Sequence, residues 1–200
     1  MTVVDFLRHG ETETRDTLLG RTDAPLCAAG CEAVARQIAG RTWGGIVASP
    51  LKRARETAEI LALTGEQSVE VDPDWREIDF GDWDGRPRRD LAEDARLAAF
   101  YKNPDANPPP NGESMDAVRA RVASALDRLA AKGDGPVLVV AHGGSIRMAL
   151  SILLAIPLER LWAVRIACAT LIRVEMGTHP MHGLWGEIIE ITQPPEAREA

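Results

Sequence analysis

Arg8-His9-Gly10-Glu11-Thr12 follows directly on the apolar run Val3-Val4-Asp5-Phe6-Leu7, which sets a nucleophile-capable imidazole beside a permanent cation at a strand's end. The arrangement recurs: Val137-Leu138-Val139-Val140-Ala141 has the composition of a buried strand, and His142-Gly143-Gly144-Ser145 then opens a helix. A third apolar run, 46–48, leads into Ser49-Pro50 and a helix carrying Arg55. If these strands neighbour one another in parallel, Arg8, His9, Arg55 and His142 share one pocket at the carboxyl ends of the strands, where ligands of open α/β sheets collect. Such a pocket suits a phosphoryl group. Guanidinium forks match phosphate oxygens in pairs, and their charge favours a neutral, nucleophilic imidazole beside them. A leaving alkoxide also needs a proton, and Glu77, within Trp75-Arg76-Glu77-Ile78-Asp79-Phe80-Gly81-Asp82-Trp83, is the candidate general acid.

The apolar runs alternate with segments of helical period, the pattern of an α/β domain: a three-layer α/β/α sandwich with a mostly parallel central sheet. Segment 27–39 sets Cys27, Cys31, Val34, Ala35 and Ile38 on one face, and 115–130 does the same with Met115, Val118, Val122, Leu126 and Leu129. Ser49-Pro50 starts another helix over 51–63, with proline in the first turn. Segment 89–101 is a weaker helical candidate, and the proline loop 102–112 excludes regular structure. The tail from 170 to 192 has the β-branched content of a final pair of strands, antiparallel to each other, and 193–200 is expected to fray.

Two hundred residues are enough for one domain, 1–200, with a full core and no structural metal or disulfide. The net charge of -7 argues against a nucleic-acid partner, whose affinity would rest on surplus Lys and Arg, while leaving room for a small anion in a local basic pocket. Neither a signal peptide nor a membrane span is legible, and the three cysteines fit a reducing, cytoplasmic setting. Cys27 and Cys31 lie one helical turn apart, but no Cys or His close in sequence completes a metal set, so packing is their expected role, as for Cys168. His179 and His182 are assigned to a solvated turn, Trp75 and Trp83 to packing, and the run Arg86, Arg88, Arg89 to a solvated face, with a rim that guides anionic substrate as the alternative.

Taken together, the blocks resemble the histidine phosphatase superfamily, the phosphoglycerate-mutase-like fold. The resemblance is carried by Arg8-His9-Gly10-Glu11-Thr12, by Gly20-Arg21-Thr22-Asp23-Ala24-Pro25-Leu26 with Gly30, and by Ser49-Pro50-Leu51 with Arg53-Ala54-Arg55-Glu56-Thr57-Ala58. Glu77 with Phe80-Gly81, Gly112-Glu113-Ser114 and His142-Gly143-Gly144 complete it, in the family's order. It implies that His9 becomes a transient phosphohistidine, that Arg8, Arg55 and His142 hold the phosphoryl group, and that Glu77 donates the proton. Arg21, Thr12 and Gly143 are further substrate-binding candidates. No metal and no cofactor are implied. Where relatives commonly carry Trp-Asn after the signature, this chain has Thr14-Arg15; Arg15 either substitutes as a cation or points to solvent.

The stretch Glu77-Ile78-Asp79-Phe80-Gly81-Asp82-Trp83-Asp84-Gly85 resembles the form in α-ribazole phosphatases rather than that of cofactor-dependent mutases. The expectation is therefore a phosphomonoesterase for a small phosphorylated metabolite, with α-ribazole 5′-phosphate, an intermediate of cobalamin nucleotide-loop assembly, as the specific substrate. The alternatives are a broad-specificity histidine phosphatase, a phosphoglycerate mutase, and, in a different class, a non-catalytic phosphate-binding or protein-interaction module. Monomer and homodimer both stay open.

Overall fold

Alternation along the strands decides the layers. In the computed structural model, which describes residues 1–65, 67–132, 135–181 and 183–194, β1 (Thr2–Arg8) sends Val4 and Phe6 to one face of the sheet and Leu7 to the other. Helices α1 (Ala28–Ile38) and α2 (Lys52–Gly65) cover the Leu7 face through Val34, Ile38, Ala54, Ala58 and Leu61. The opposite face is covered by α4 (Met115–Lys132) and α5 (Gly143–Leu154) through Val118, Val122, Ile146 and Leu150. Both faces being dry, the central strands can be apolar at nearly every position. Asp5 is the exception, fully buried yet satisfied by two 2.8 Å bonds from Arg173 and one of 2.6 Å from Trp43 Nε1.

The sheet has six strands in the order β3-β2-β4-β1-β5-β6. Strands β2 (Gly45–Ala48), β3 (Val69–Val71) and β4 (Val137–Ala141) run parallel to β1, whereas β5 (Leu171–His179) and β6 (Gly183–Thr192) form the antiparallel pair expected of the tail. A three-layer sandwich with a mostly parallel sheet follows. Register does the positioning: Arg8 pairs with Ala141 and Ala48 with Val140, so His9, His142 and Ser49 emerge level at one edge. The backbone locks the level, with His9 N–H donating to Ala141 O at 3.0 Å and Ser49 N–H to Val140 O at 3.0 Å.

Three departures have local causes. The candidate helix over 89–101 is interrupted, because the Asp94 carboxylate accepts from Arg96 N–H at 2.9 Å and starts a fresh helix, α3 (Ala95–Lys102), behind a 3-10 turn at Arg88–Leu91. The edge strand β3, three residues long, carries too little pattern to be expected from sequence. At the carboxyl end, Gln193 is tied down rather than frayed: it accepts from Thr170 Oγ1 at 2.7 Å and donates to Arg165 O at 2.5 Å. Residues 195–200 and His182 lie outside the described residues.

The proline loop is irregular as expected, and it braces the Glu77 block. Pro110 O accepts from Asp82 N–H at 2.9 Å, and Asn111 Nδ2 donates to both Asp82 oxygens at 3.1 Å. Gly81 makes this docking feasible, having a φ of +51° and backbone atoms of Pro110 and Gly112 where a Cβ would stand. No helix among the described residues is long and apolar enough to cross a membrane.

Candidate active site

Arg8, His9, Glu77, Gly143 and Gly144 line one cavity of about 240 Å³ at the carboxyl edge of the sheet. His9 Nδ1 lies 2.7 Å from Gly10 O. A carbonyl accepts only, so Nδ1 carries the proton and Nε2 presents its lone pair. Among the described residues no protein group bonds Nε2. Burial first, then the charges of Arg8 and Arg53, hold the His9 pKa well below its ordinary value, so the ring stays neutral. Thr57 fixes the loop behind it, its hydroxyl accepting from Gly10 N–H at 3.1 Å and donating to Arg53 O at 2.8 Å.

His142 shares the site from behind. Its ring centroid is 5.1 Å from that of His9, and it is fully buried. Nδ1 accepts from Arg53 Nε at 3.2 Å, which places the proton on Nε2 and directs it to Ser49 Oγ at 2.7 Å. Burial, then Arg53 and His9, lower its pKa well below the ordinary value.

The expectation that Arg55 shares this pocket is not met: Arg55 lies exposed on the outer face of α2, and Arg53 is the buried cation. Residues two apart on a helix point to nearly opposite sides. Arg53, with no exposed surface, donates to Thr22 O (2.8 Å), Gly20 O (3.0 Å) and Leu19 O (3.1 Å) as well as to His142. The same loop is gripped from its other side by Asp84, which accepts from Gly20 N–H at 2.6 Å and from Thr22 N–H and Oγ1 at 2.9 Å each. The signal that finds Arg53 is helical phase, since the buried stripe Arg53, Ala54, Thr57, Ala58, Leu61 excludes position 55.

Glu77 closes the cavity at the start of α5. Its carboxylate accepts from Gly144 N–H at 3.0 and 3.1 Å and from Ile78 N–H at 2.9 Å. These bonds fix the carboxyl group at the opening turn of α5, facing the cavity. Gly144 is required by this contact, because a Cβ there would overlap Glu77 Oε1 and come within 2.6 Å of Ile78 Cδ1. The backbone of Glu77 is held in turn by Arg121, which donates to the carbonyls of Asp74 and Arg76 at 2.7 Å and of Glu77 at 3.3 Å while pairing with Glu113. Arg121 carries no local signature, and only the tertiary structure brings it here.

The remaining candidates divide. Arg8 donates through Nη1 to Ile166 O at 2.7 Å, while its Nε is buried with no partner, a donor left for an anion. Gly143 sits in the first turn of α5 beside Arg8. Thr12 is buried and donates to Thr14 O at 3.1 Å, which makes it part of the signature loop rather than of the cavity wall. Arg21 lies outside this cavity, exposed and paired with Asp79 at 2.9 Å, on the wall of a second cavity of about 480 Å³. Arg15 pairs with Glu11 at 3.5 Å and is 68 % exposed, so it points to solvent and supplies no cation to the site. Of the arginine run, Arg88 reaches the cavity and donates to Tyr101 Oη at 3.3 Å; Trp75 and Trp83 are core residues. Cys27 caps α1, accepting from Gly30 N–H at 3.4 Å. Among the described residues no group of three His, Cys, Asp or Glu side chains is placed to hold a metal ion.

Residues 4–182 match the model of the histidine phosphatase superfamily, branch 1. An adenosylcobalamin/α-ribazole phosphatase of Escherichia coli strain K12 is 32 % identical over 169 residues, covering 80 % of this chain and 83 % of that protein. A glucosyl-3-phosphoglycerate phosphatase of Mycolicibacterium vanbaalenii is 34 % identical over 173 residues, covering 80 % of this chain and 76 % of the other. Among solved structures, a phosphoserine phosphatase of Entamoeba histolytica in complex with 3-phosphoglyceric acid superposes with a TM-score of 0.82 at 26 % identity, covering 98 % of each chain.

Proposed function

The chain belongs to the histidine phosphatase superfamily, branch 1, and is a phosphoric monoester hydrolase; from that premise we propose that it works through a phosphohistidine on His9 Nε2, with Glu77 as proton donor and α-ribazole 5′-phosphate as substrate. The observation that carries the chemistry is the hydrogen bond of His9 Nδ1 to Gly10 O at 2.7 Å. It fixes the tautomer and leaves the Nε2 lone pair at the cavity, beside the unpartnered Nε of Arg8. In the first step Nε2 attacks phosphorus, the ester P–O bond breaks, and the Glu77 proton goes to the leaving oxygen. In the second, water attacks phosphorus, its proton passes to Glu77, and the N–P bond breaks. Arg8, whose Nε has no protein partner, supplies fixed positive charge for the equatorial oxygens and is in place before substrate arrives. His142 and Arg53 act behind His9: they hold the ring environment fixed and positive.

Rapid quench with labelled phosphomonoester is the test of the chemistry. The label should appear on His9 as an acid-labile, base-stable adduct; His9→Ala should carry no label and release no phosphate. Glu77→Gln should still accumulate label on His9 but turn over roughly 10²–10⁴ more slowly. Label on another residue, or turnover by His9→Ala at the parent rate, overturns the assignment. For the substrate, kcat/KM for α-ribazole 5′-phosphate should exceed that for 3-phosphoglycerate by about a hundredfold or more, roughly 2.7 kcal/mol of transition-state discrimination. One observation favours a second reading. Arg88 reaches the cavity with no carboxylate paired to it among the described residues. That charge suits an alcohol bearing a carboxylate, the character of serine or glycerate phosphates, and a reversed preference in the same assay would establish it.

A further inference from the structure

The cavity has two unlike sets of lining residues. Arg8, His9 and Glu77 are among its polar lining residues, with Arg88 and Arg147, and Phe80, Phe100, Tyr101 and Trp162 are its aromatic ones. Phe80 and Phe100 are buried as core, at 7 % and 1 % exposure, so the rings with surface to offer a ligand are Tyr101 and Trp162.

Trp162 is held in an unusual way for a wall residue. It sits on the 3-10 turn Leu158–Ala163, edge to face with Tyr101 at 5.2 Å and 83° and tilted against Phe100 at 6.0 Å. The guanidinium of Arg147 lies 5.1 Å from its ring centroid. That guanidinium is immobilised by three carbonyls, Val164 O at 3.0 Å, Gly143 O at 3.1 Å and Leu161 O at 3.2 Å. Arg147 therefore bolts the turn that carries the indole to the first turn of α5, which lines the cavity. The indole is preorganised with respect to the phosphoryl site, although no hydrogen bond of its own holds it: Nε1 is buried without an acceptor, a cost that phenylalanine would not carry there. Packing alone does not account for an indole at this position.

We propose that Trp162 is the residue that selects the leaving alcohol, by stacking against a flat π system, and that the preferred phosphomonoesters of this chain carry an aromatic or heteroaromatic ring on that alcohol. The proposal rests on the phosphohistidine reading and deepens it. It names the chemical class of the leaving group: planar and largely apolar.

Benzyl phosphate and cyclohexylmethyl phosphate test it. Both are esters of primary alcohols, so leaving-group basicity is nearly matched and the ring alone differs. The wild-type chain should show kcat/KM about three- to tenfold higher for benzyl phosphate, the scale of one aromatic contact. Trp162→Leu should bring the ratio to within about twofold, and Trp162→Phe, which keeps a ring, should restore most of it. An equal ratio in wild type and Trp162→Leu, with both proteins showing cooperative melts, overturns the proposal. So does a wild-type ratio near one, or a preference for serine phosphate over benzyl phosphate, which would move selection to Arg88. Should Trp162→Leu fail to fold, Trp162→Phe against Trp162→His gives the same comparison by ring polarity, and equal ratios there overturn the proposal. Failure of the underlying chemistry is separable: phosphoramidate, too small to reach the ring wall, should label His9 in the wild type. Absence of that label sinks the phosphohistidine, whereas label without a ring preference sinks the present inference alone.

Discussion

Replacing Arg53 and Arg55 in turn by methionine separates two arginines that sequence places side by side. Arg53→Met removes donors from four acceptors, the carbonyls of Leu19, Gly20 and Thr22 and Nδ1 of His142. Leaving a buried acceptor unmet costs about 1–3 kcal/mol each, and part of that is offset because a buried guanidinium no longer has to be desolvated. The net expectation is a loss of about 3–4 kcal/mol. For a chain of this length each kcal/mol moves Tm by about 2–4 °C, which gives a fall of about 6–16 °C. Activity should fall further than stability does, by roughly 10²–10³ in kcat, because a charge that acts on both imidazoles and the bond that sets the His142 tautomer are lost together. Arg55→Met removes an exposed side chain and should stay within about 0.5 kcal/mol of wild type. Differential scanning fluorimetry and initial-rate phosphate release on the two variants settle the matter. A melt unchanged in Arg53→Met, or a tenfold loss of kcat in Arg55→Met, would refute the placement of the cation.

The two buried imidazoles also predict an acid-side loss of stability. Burial, then Arg8 and Arg53 for His9, and burial, then Arg53 and His9 for His142, depress both pKa values below the ordinary 6.5. The unfolded chain therefore binds more protons below that value, and the contribution of each ring is complete above it and lost as pH falls beneath, at up to about 1.4 kcal/mol per pH unit. Urea unfolding at pH 6 and pH 5 should show this slope, and His142→Gln should flatten it by about one residue's share; an identical slope in that variant counts against the burial argument. Gly144→Ala should displace the Glu77 carboxylate and lower kcat by roughly 10² with little change in KM, whereas Gly143→Ala, whose Cβ would press on the end of Arg147 at 3.2 Å and make ordinary contact with Arg8 at 3.8 Å, should be milder. Equal kcat values for the two glycine variants would show that Glu77 does not need its seat on α5.

The parts of the site legible in sequence are those that a strand delivers. A run of buried residues ends where its pattern ends, so His9 and His142 can be placed at strand ends from sequence, and parallel neighbours with level register put them 5.1 Å apart between ring centroids. Parts delivered by a helix need phase as well as position. Arg53 and Arg55 are both present in the quoted block, and only the stripe through Ala54, Thr57 and Ala58 tells which of them turns inward. The 3-10 turns were not legible, since three to six residues carry no usable period, yet they hold Trp162 and flank Glu77. Arg121 and Arg147 act on backbone carbonyls. Those acceptors belong to every residue type, so nothing in the sequence marks the partner.

Charge shows the same separation between what composition and what placement can say. A net charge of -7 gives a field that repels anions at long range, yet this field is screened beyond about 8–10 Å at ordinary salt. Inside that distance the cavity is governed by its own residues: Arg8, Arg88 and Arg147 on the wall, Arg53 behind the imidazoles, and Glu77 as the single carboxylate among the lining residues. Two of those cations, Arg53 and Arg147, are already committed to carbonyls, so their charge is felt at the phosphoryl site without their donors being free for it. Among these cations Arg8 alone keeps a buried donor unmet within the described residues. A site built this way leaves one guanidinium edge, that of Arg8, free for an anion, while burial together with the charges of Arg53 and Arg8 keeps the two histidines neutral.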